Sequence, residues 1–300
     1  MNGRRTPIRV SRSIFSEIFA RSHSVLSQST TREYAYGLTE AVLVSELGSR
    51  NSPRSGLARG MDAHALARAP VPGVYLLYDF DTAAEESYLL SRVDNEPKTR
   101  WTTVSDRRVL QFGGRPTATK HGMIAEKIPE WLLDAFYTLV PIRPHPRVRE
   151  DLNHVLVNAY EPGRGIMPHE DGPLYDPAVA IVSLGASATM RFTPRRRDDA
   201  DADAADGGGG RASDAAAAFG VWLPPRSLLV FTGAAYTEYL HGIEDVAEDV
   251  VDESVANRDA AAKAVGGGGG ADGPLVIPRE RARVSLTCRR VLKTRKILAF

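Results

Sequence analysis

From residue 155 onward the sequence breaks into six short runs rich in Val, Ile, Leu, Phe and Thr: VLVNAY, AVAIVSLG, ATMRF, GVWL, SLLVF and RVSLTC. Gly, Pro and Asp residues part them. Runs of this length and composition, bounded by turn formers, read as strands. Ahead of them lie a run GVYLLYDF (Gly73–Phe80), which also reads as a strand, and two helical patterns. Thr82 and Glu85 have the spacing of a capping box, opening a helix through about Val93. Pro129 suits the first turn of a second helix, in which Leu132, Ala135, Phe136 and Leu139 fall on one face. The fold class expected is mainly β with flanking helices (α+β), a sandwich or barrel with its helices on one side.

Two segments inside the β region cannot bury a core. Arg195–Ala218 is built of Arg, Asp, Ala and Gly, and a five-glycine run occupies Gly266–Gly270. They predict flexible inserts over 195–218 and 254–273 within one domain spanning 71–295. Residues 1–70 are Arg- and Ser-rich, with Glu17 the first acid; Ile14, Phe15, Ile18 and Phe19 mark a short amphipathic stretch. This region reads as a disordered tail, a targeting leader, or sequence upstream of a start at Met61.

Composition narrows the chemistry. Cys288 is the single cysteine, so an intrachain disulfide and a cysteine-based zinc site are both excluded. An intracellular location, nucleus and/or cytoplasm, is expected, with organellar targeting as an alternative. No stretch approaches the ~20 apolar residues of a membrane span, and the sequence carries no signal for an oligomeric state. The net charge of +1 hides segregation. Residues 279–300 hold eight basic side chains against Glu280, and residues 96–120 hold six against two acids. Asp198–Asp214 and Glu244–Glu253 carry six acids each. A basic surface facing a polyanion therefore remains open. No P-loop, dinucleotide fingerprint or nucleophile elbow is present.

Among seven histidines the informative one is His169, in GRGIMPHEDGP. In an extended segment His169 and Asp171 point the same way while Glu170 turns aside. They need a third ligand, and His241 in YTEYLHGI is the candidate. Two His and one carboxylate form the facial triad of non-haem Fe(II) oxygenases, with positions left open for substrate and O₂. A second constellation is Arg283-Val-Ser-Leu-Thr-Cys-Arg289. On a strand, Arg283, Ser285, Thr287 and Arg289 share one face; Val284, Leu286 and Cys288 share the other. Inward guanidiniums need an anion, which a dicarboxylate supplies; the competing account is an edge strand with one exposed polar face. Cys288 reads as a small core residue and His154 as a satisfied surface or core histidine.

With both constellations in place, the sequence resembles the AlkB-type iron- and 2-oxoglutarate-dependent dioxygenases, and most closely their AlkB homolog six subfamily. The resemblance rests on Asn158–Pro177, Ile181–Ala186, Pro224–Ile243 and Arg281–Val291, with a weaker lead-in at Pro97–Pro116. It implies a double-stranded β-helix (jelly roll), and iron held by His169, Asp171 and His241. It further implies 2-oxoglutarate bound through Asn158 and Tyr160, with Arg283 at its distal carboxylate and Arg289 near the metal-bound end. The implied reaction couples decarboxylation of 2-oxoglutarate by O₂, giving succinate and CO₂, to hydroxylation of a C–H bond. An N-methyl group so hydroxylated leaves as formaldehyde. The implied partner is DNA or RNA carrying an alkylated base, with Trp101 and Tyr175 as possible substrate contacts and Trp101 and Phe112 otherwise core residues. The alternatives are a protein side chain as substrate, or a non-catalytic module binding nucleic acid or protein.

Overall fold

The computed structural model describes residues 64–119, 122–133, 152–195, 217–266 and 273–296. Its strands, in chain order, are β1 (Val74–Leu77), β2 (Thr102–Val104), β3 (Arg107–Phe112), β4 (Met123–Ile124), β5 (His154–Tyr160), β6 (Ile166–His169), β7 (Ala178–Gly185), β8 (Ala188–Pro194), β9 (Phe219–Leu223), β10 (Ser227–Thr232), β11 (Tyr239–Ile243), β12 (Glu248–Val251), β13 (Leu275–Pro278), β14 (Arg283–Arg289) and β15 (Thr294–Arg295). Seven of them form one sheet in the order β1-β10-β7-β14-β5-β3-β2, and four form a second in the order β6-β11-β8-β9. All six runs expected after residue 155 are strands, and two facing sheets of this kind are the jelly-roll arrangement.

Period-2 alternation divides the core into two layers. On one face of the large sheet, Leu110, Phe112, Val155, Val157, Val182, Leu286 and Cys288 pack with Leu89, Val93 and Trp131. Leu89 and Val93 come from the helix Ala83–Asp94, whose Thr82 hydroxyl accepts from the Glu85 N–H while the Glu85 carboxylate accepts from the Thr82 N–H. Each such cap contributes about 1 kcal/mol. On the opposite face, Val179, Ile181, Leu229 and Phe231 meet Met190, Phe192, Val221, Leu223 and Ile243 of the small sheet. The large sheet is thus apolar on both sides, and the polar residues of β14 and β5 stand out against that background.

β14 lies between β7 and β5, and every one of its residues is buried. The edge-strand account of Arg283–Arg289 therefore fails, and both arginines are interior. Cys288 sits in the helix-side layer, where burial pushes its thiol up to about 12. It is a core residue.

Three expectations need correction or placement. The fold begins before residue 71: the Leu66 N–H donates to the Val74 carbonyl, and Leu66 and Ala69 pack on the inter-sheet core. Residues 1–63 lie outside the described residues. The insert expected at 254–273 is ordered over its first half, where a helix, Arg258–Ala264, packs Ala261 with Trp222, Val251, Val255 and Ile277. Alanine repeats favour helix, and Asn257 ties the helix to β9 by accepting from the Trp222 N–H at 2.8 Å and donating to its carbonyl at 2.7 Å. The glycine run largely follows that helix, and residues 267–272 lie outside the described residues. So do 196–216, most of the other expected insert, and 134–151, which hold Ala135, Phe136 and Leu139; the second helical pattern is helical at 130–133. Among the described residues no helix is long and apolar enough to cross a membrane.

Candidate iron and 2-oxoglutarate site

β6 runs antiparallel to β11, and the register sets His169 directly opposite His241. Close approach of the two strands depends on Gly242, where a Cβ would lie 2.8 Å from the Ile166 carbonyl oxygen and from the Pro168 nitrogen. The imidazole centroids stand 4.4 Å apart. Asp171 enters from the turn that follows β6, and one ligand atom from each of His169, Asp171 and His241 lies within 4.8 Å of the other two. Side chains some 70 positions apart thus converge on a spot where one divalent ion could sit. Glu170 turns outward as expected and pairs with Arg195 at 2.7 Å on the surface.

The donors suit a metal in detail. The Met167 carbonyl lies 2.9 Å from His169 Nδ1 and takes its N–H, so Nε2 carries the free lone pair. His241 is buried among Phe231 and Phe192, with ring centroids at 5.0 and 6.4 Å. That burial, reinforced by His169 and Arg289 and opposed by Asp171, lowers its pKa to about 4, so the imidazole is neutral and able to ligate at neutral pH. The Asp171 carboxylate is buried, one oxygen bonded to the Arg289 guanidinium, while Oδ2 has no hydrogen-bond partner among the described residues. An orphaned carboxylate oxygen beside two imidazoles fits a bound cation.

The residues expected to seat the cosubstrate line the same inter-sheet face. Asn158 accepts from Arg107 Nε at 3.0 Å and donates to Thr287 at 3.4 Å. Arg283, 3% exposed, donates to the Ser183 hydroxyl at 2.9 Å and stands 5.7 Å over the Tyr160 ring, while its Nε lacks a partner. Among the described residues no carboxylate pairs with it. A buried guanidinium answered only by a hydroxyl and a ring fits an incoming carboxylate. At the other end of β14, Arg289 lies 4.1 Å over the ring of Tyr175.

A family model described as "2OG-Fe(II) oxygenase superfamily" matches residues 73–289. The chain belongs to that superfamily. Its relatives place it among the AlkB-type members. It is 39% identical over 233 residues to a Danio rerio protein named "Probable RNA/DNA demethylase ALKBH6", an alignment covering 78% of this chain and 91% of that one. It is 29% identical over 201 residues to the Arabidopsis thaliana "Alkylated DNA repair protein ALKBH8 homolog", covering 63% of this chain and 56% of the relative. A solved structure, "The structure of OsALKBH1", aligns with 73% of this chain and 99% of that one at 17% identity and a TM-score of 0.43. The protein is a dioxygenase that uses Fe(II), 2-oxoglutarate and O₂, and when bound the iron supplies the oxidation of a C–H bond by O₂.

Sequence reasoning missed two residues at this oxygenase site. Tyr236, on the short helix Ala234–Thr237, donates to the Gly172 carbonyl at 3.3 Å, and burial together with the nearby Asp171 charge pushes its pKa up. Its position within Pro224–Ile243, just ahead of His241, was the available signal. His154 is the second. It is 1% exposed, sits opposite Arg289 in the β5–β14 register, and neither ring nitrogen has a hydrogen-bond partner among the described residues. The expected satisfied histidine is therefore corrected to an unsatisfied one; the strand carries it under Tyr175, ring centroids 6.0 Å apart, where a protein partner is lacking. Trp101, by contrast, is not brought to the site. It packs partly buried on the helix-side layer, across the large sheet from the metal residues, with Arg108 4.8 Å over its ring.

Burial and the Arg289 charge lower the His154 pKa from 6.5 to about 3. Between those values the unfolded chain binds a proton that the folded protein refuses, so stability is full above about pH 6.5 and falls as the pH drops through this window. His154→Phe is expected to make that acid loss shallower, read from thermal midpoints of the metal-free protein between pH 7 and 4. Superimposable profiles for the two proteins would contradict the assignment.

Proposed function

We propose that the protein removes N-alkyl groups oxidatively from bases of DNA or RNA. In this reading His169, Asp171 and His241 hold the iron, while Asn158, Tyr160, Arg283 and Arg289 seat 2-oxoglutarate. The observation that carries the substrate class is the 39% identity, across most of both chains, to a protein named as an RNA/DNA demethylase. The geometry supports it: half-buried Tyr175 and Tyr236 flank the metal residues and offer aromatic surface to an unstacked base. Arg289 both steadies Asp171 and covers Tyr175, which ties the metal ligand to the rim that would meet substrate. The bonded Arg289 also keeps Asp171 oriented before the metal arrives.

A mass-spectrometric screen of methylated DNA and RNA oligonucleotides, incubated with Fe(II), 2-oxoglutarate and air, tests this. At least one substrate is expected to lose the mass of one CH₂ per methyl group, with formaldehyde and succinate formed in step. Succinate formation with every oligonucleotide unchanged would refute the nucleic-acid reading and leave a protein side chain as the substrate class.

A further inference from the structure

Six of the eight basic residues at 279–300 fall into two populations. Arg279 is buried and forms a bidentate pair with Asp249 at 2.8 Å, and Arg283 and Arg289 belong to the oxygenase site. Lys293, Arg295 and Lys296 are exposed, and among the described residues none of them pairs with a carboxylate. The segment after β14 runs along the rim of the metal loop, where Val291 bridges Tyr175 and the Leu292 N–H donates to the Leu174 carbonyl. It then pairs as β15 in parallel with β4. There a cleft of about 890 Å³ opens, lined by Arg115, Lys127, Arg295 and Lys296 with Thr117, against Glu126, the one lining carboxylate among the described residues. Arg115 is likewise exposed and, among the described residues, without an acidic partner. Arg295 lies six residues after Arg289, at most about 20 Å along an extended chain.

Of the cations around this open cleft, Lys127 pairs with Glu130 at 3.8 Å, while Arg115, Arg295 and Lys296 have no acidic partner among the described residues. Joined to the metal loop by a hydrogen-bonded strand, they fit a flexible polyanion whose other end reaches the iron. Among the described residues the lining holds hydroxyls and cations and no aromatic ring, which fits phosphates rather than bases. We propose that this cleft between β4 and β15 carries the sugar–phosphate backbone of single-stranded nucleic acid flanking the base that enters the oxygenase site. The inference rests on the nucleic-acid reading above and adds the path of the strand.

The test uses the full chain and a fluorescent single-stranded oligonucleotide, with affinity measured by anisotropy across salt concentrations. Arg115→Gln, Arg295→Gln and Lys296→Gln combined are expected to weaken binding at least about tenfold at low salt and to make the log–log salt slope shallower by about 2, given roughly 0.7 per phosphate contact on a single strand. Lys263→Gln, on the remote helix Arg258–Ala264, is expected to change neither. Substrate-independent succinate formation and the unfolding midpoint stay at wild-type values in both variants, which shows that the fold and the iron site are intact. A triple variant that binds like wild type, with the same slope, overturns the cleft while leaving the nucleic-acid reading standing. Wild-type protein that binds no oligonucleotide even at low salt overturns that reading itself. Polyglutamate of matched charge competing as well as the oligonucleotide overturns nucleic acid as the occupant and points to an acidic protein segment.

Discussion

Asp171→Ala is expected to abolish conversion of 2-oxoglutarate to succinate, a loss of more than about a hundredfold, because even residues that only support metal ligands cost 10–100-fold when removed. The same change has a second consequence that depends on the tertiary structure. Asp171 is the buried counter-charge of Arg289, whose side chain is 6% exposed. Removing one partner of such a pair strands the other, at a cost of about 3–5 kcal/mol. A large fall in the unfolding midpoint should therefore accompany the loss of turnover. Asp171→Asn separates the effects, since an amide oxygen can still accept from Arg289 but ligates iron poorly. The asparagine variant is expected to lose turnover and tightly bound iron while keeping much of its stability. Wild-type succinate formation in either variant would remove Asp171 from the metal site.

Arg283→Met should behave in the opposite sense on stability. The guanidinium lies in the inter-sheet interior with one neutral hydroxyl partner, an orphaned Nε, and its pKa lowered by burial. Replacing a buried, poorly compensated charge by an apolar side chain of similar volume is neutral or stabilising. The apoprotein is therefore expected to melt at or above the wild-type temperature. Its KM for 2-oxoglutarate is expected to rise roughly a hundredfold, because truncating one partner of a buried charge pair costs ~2–5 kcal/mol. Stability without cosubstrate and affinity for cosubstrate thus diverge, which a merely structural arginine cannot produce. A variant that melts much earlier with unchanged KM would assign Arg283 to the scaffold instead.

How much of this site was legible beforehand varies residue by residue. The alternation along Arg283–Arg289 identified which side chains share a face, and the structure keeps that division, with Val284, Leu286 and Cys288 in the helix-side layer. The His169–Asp171 spacing likewise predicted a shared direction with Glu170 turned away. The Thr82–Glu85 capping box forms as its spacing requires. What failed was judgement of environment. His154 looked ordinary because a histidine ahead of an apolar run is usually satisfied; its orphaned ring nitrogens follow from β14 and Tyr175 closing over it. Trp101 stands in a basic, aromatic segment, yet the β2–β3 hairpin delivers its ring to the face away from the iron residues. The glycine run suggested flexibility back to residue 254, but the alanines before it found Trp222 to pack against.

The sequence by itself determined the strands, the capped helix, the two faces of β14 and the chemical types that can bind iron and a dicarboxylate, because each of these follows from periods of two or 3.6 residues and from local turn chemistry. Only the tertiary structure decided that His241 stands opposite His169, that Arg289 spends its charge on Asp171, and that Arg279 and Asp249 cancel inside the protein. Those facts depend on which strands pair and in what register. That choice is made by the combined burial of both core layers, a quantity no short stretch of chain contains.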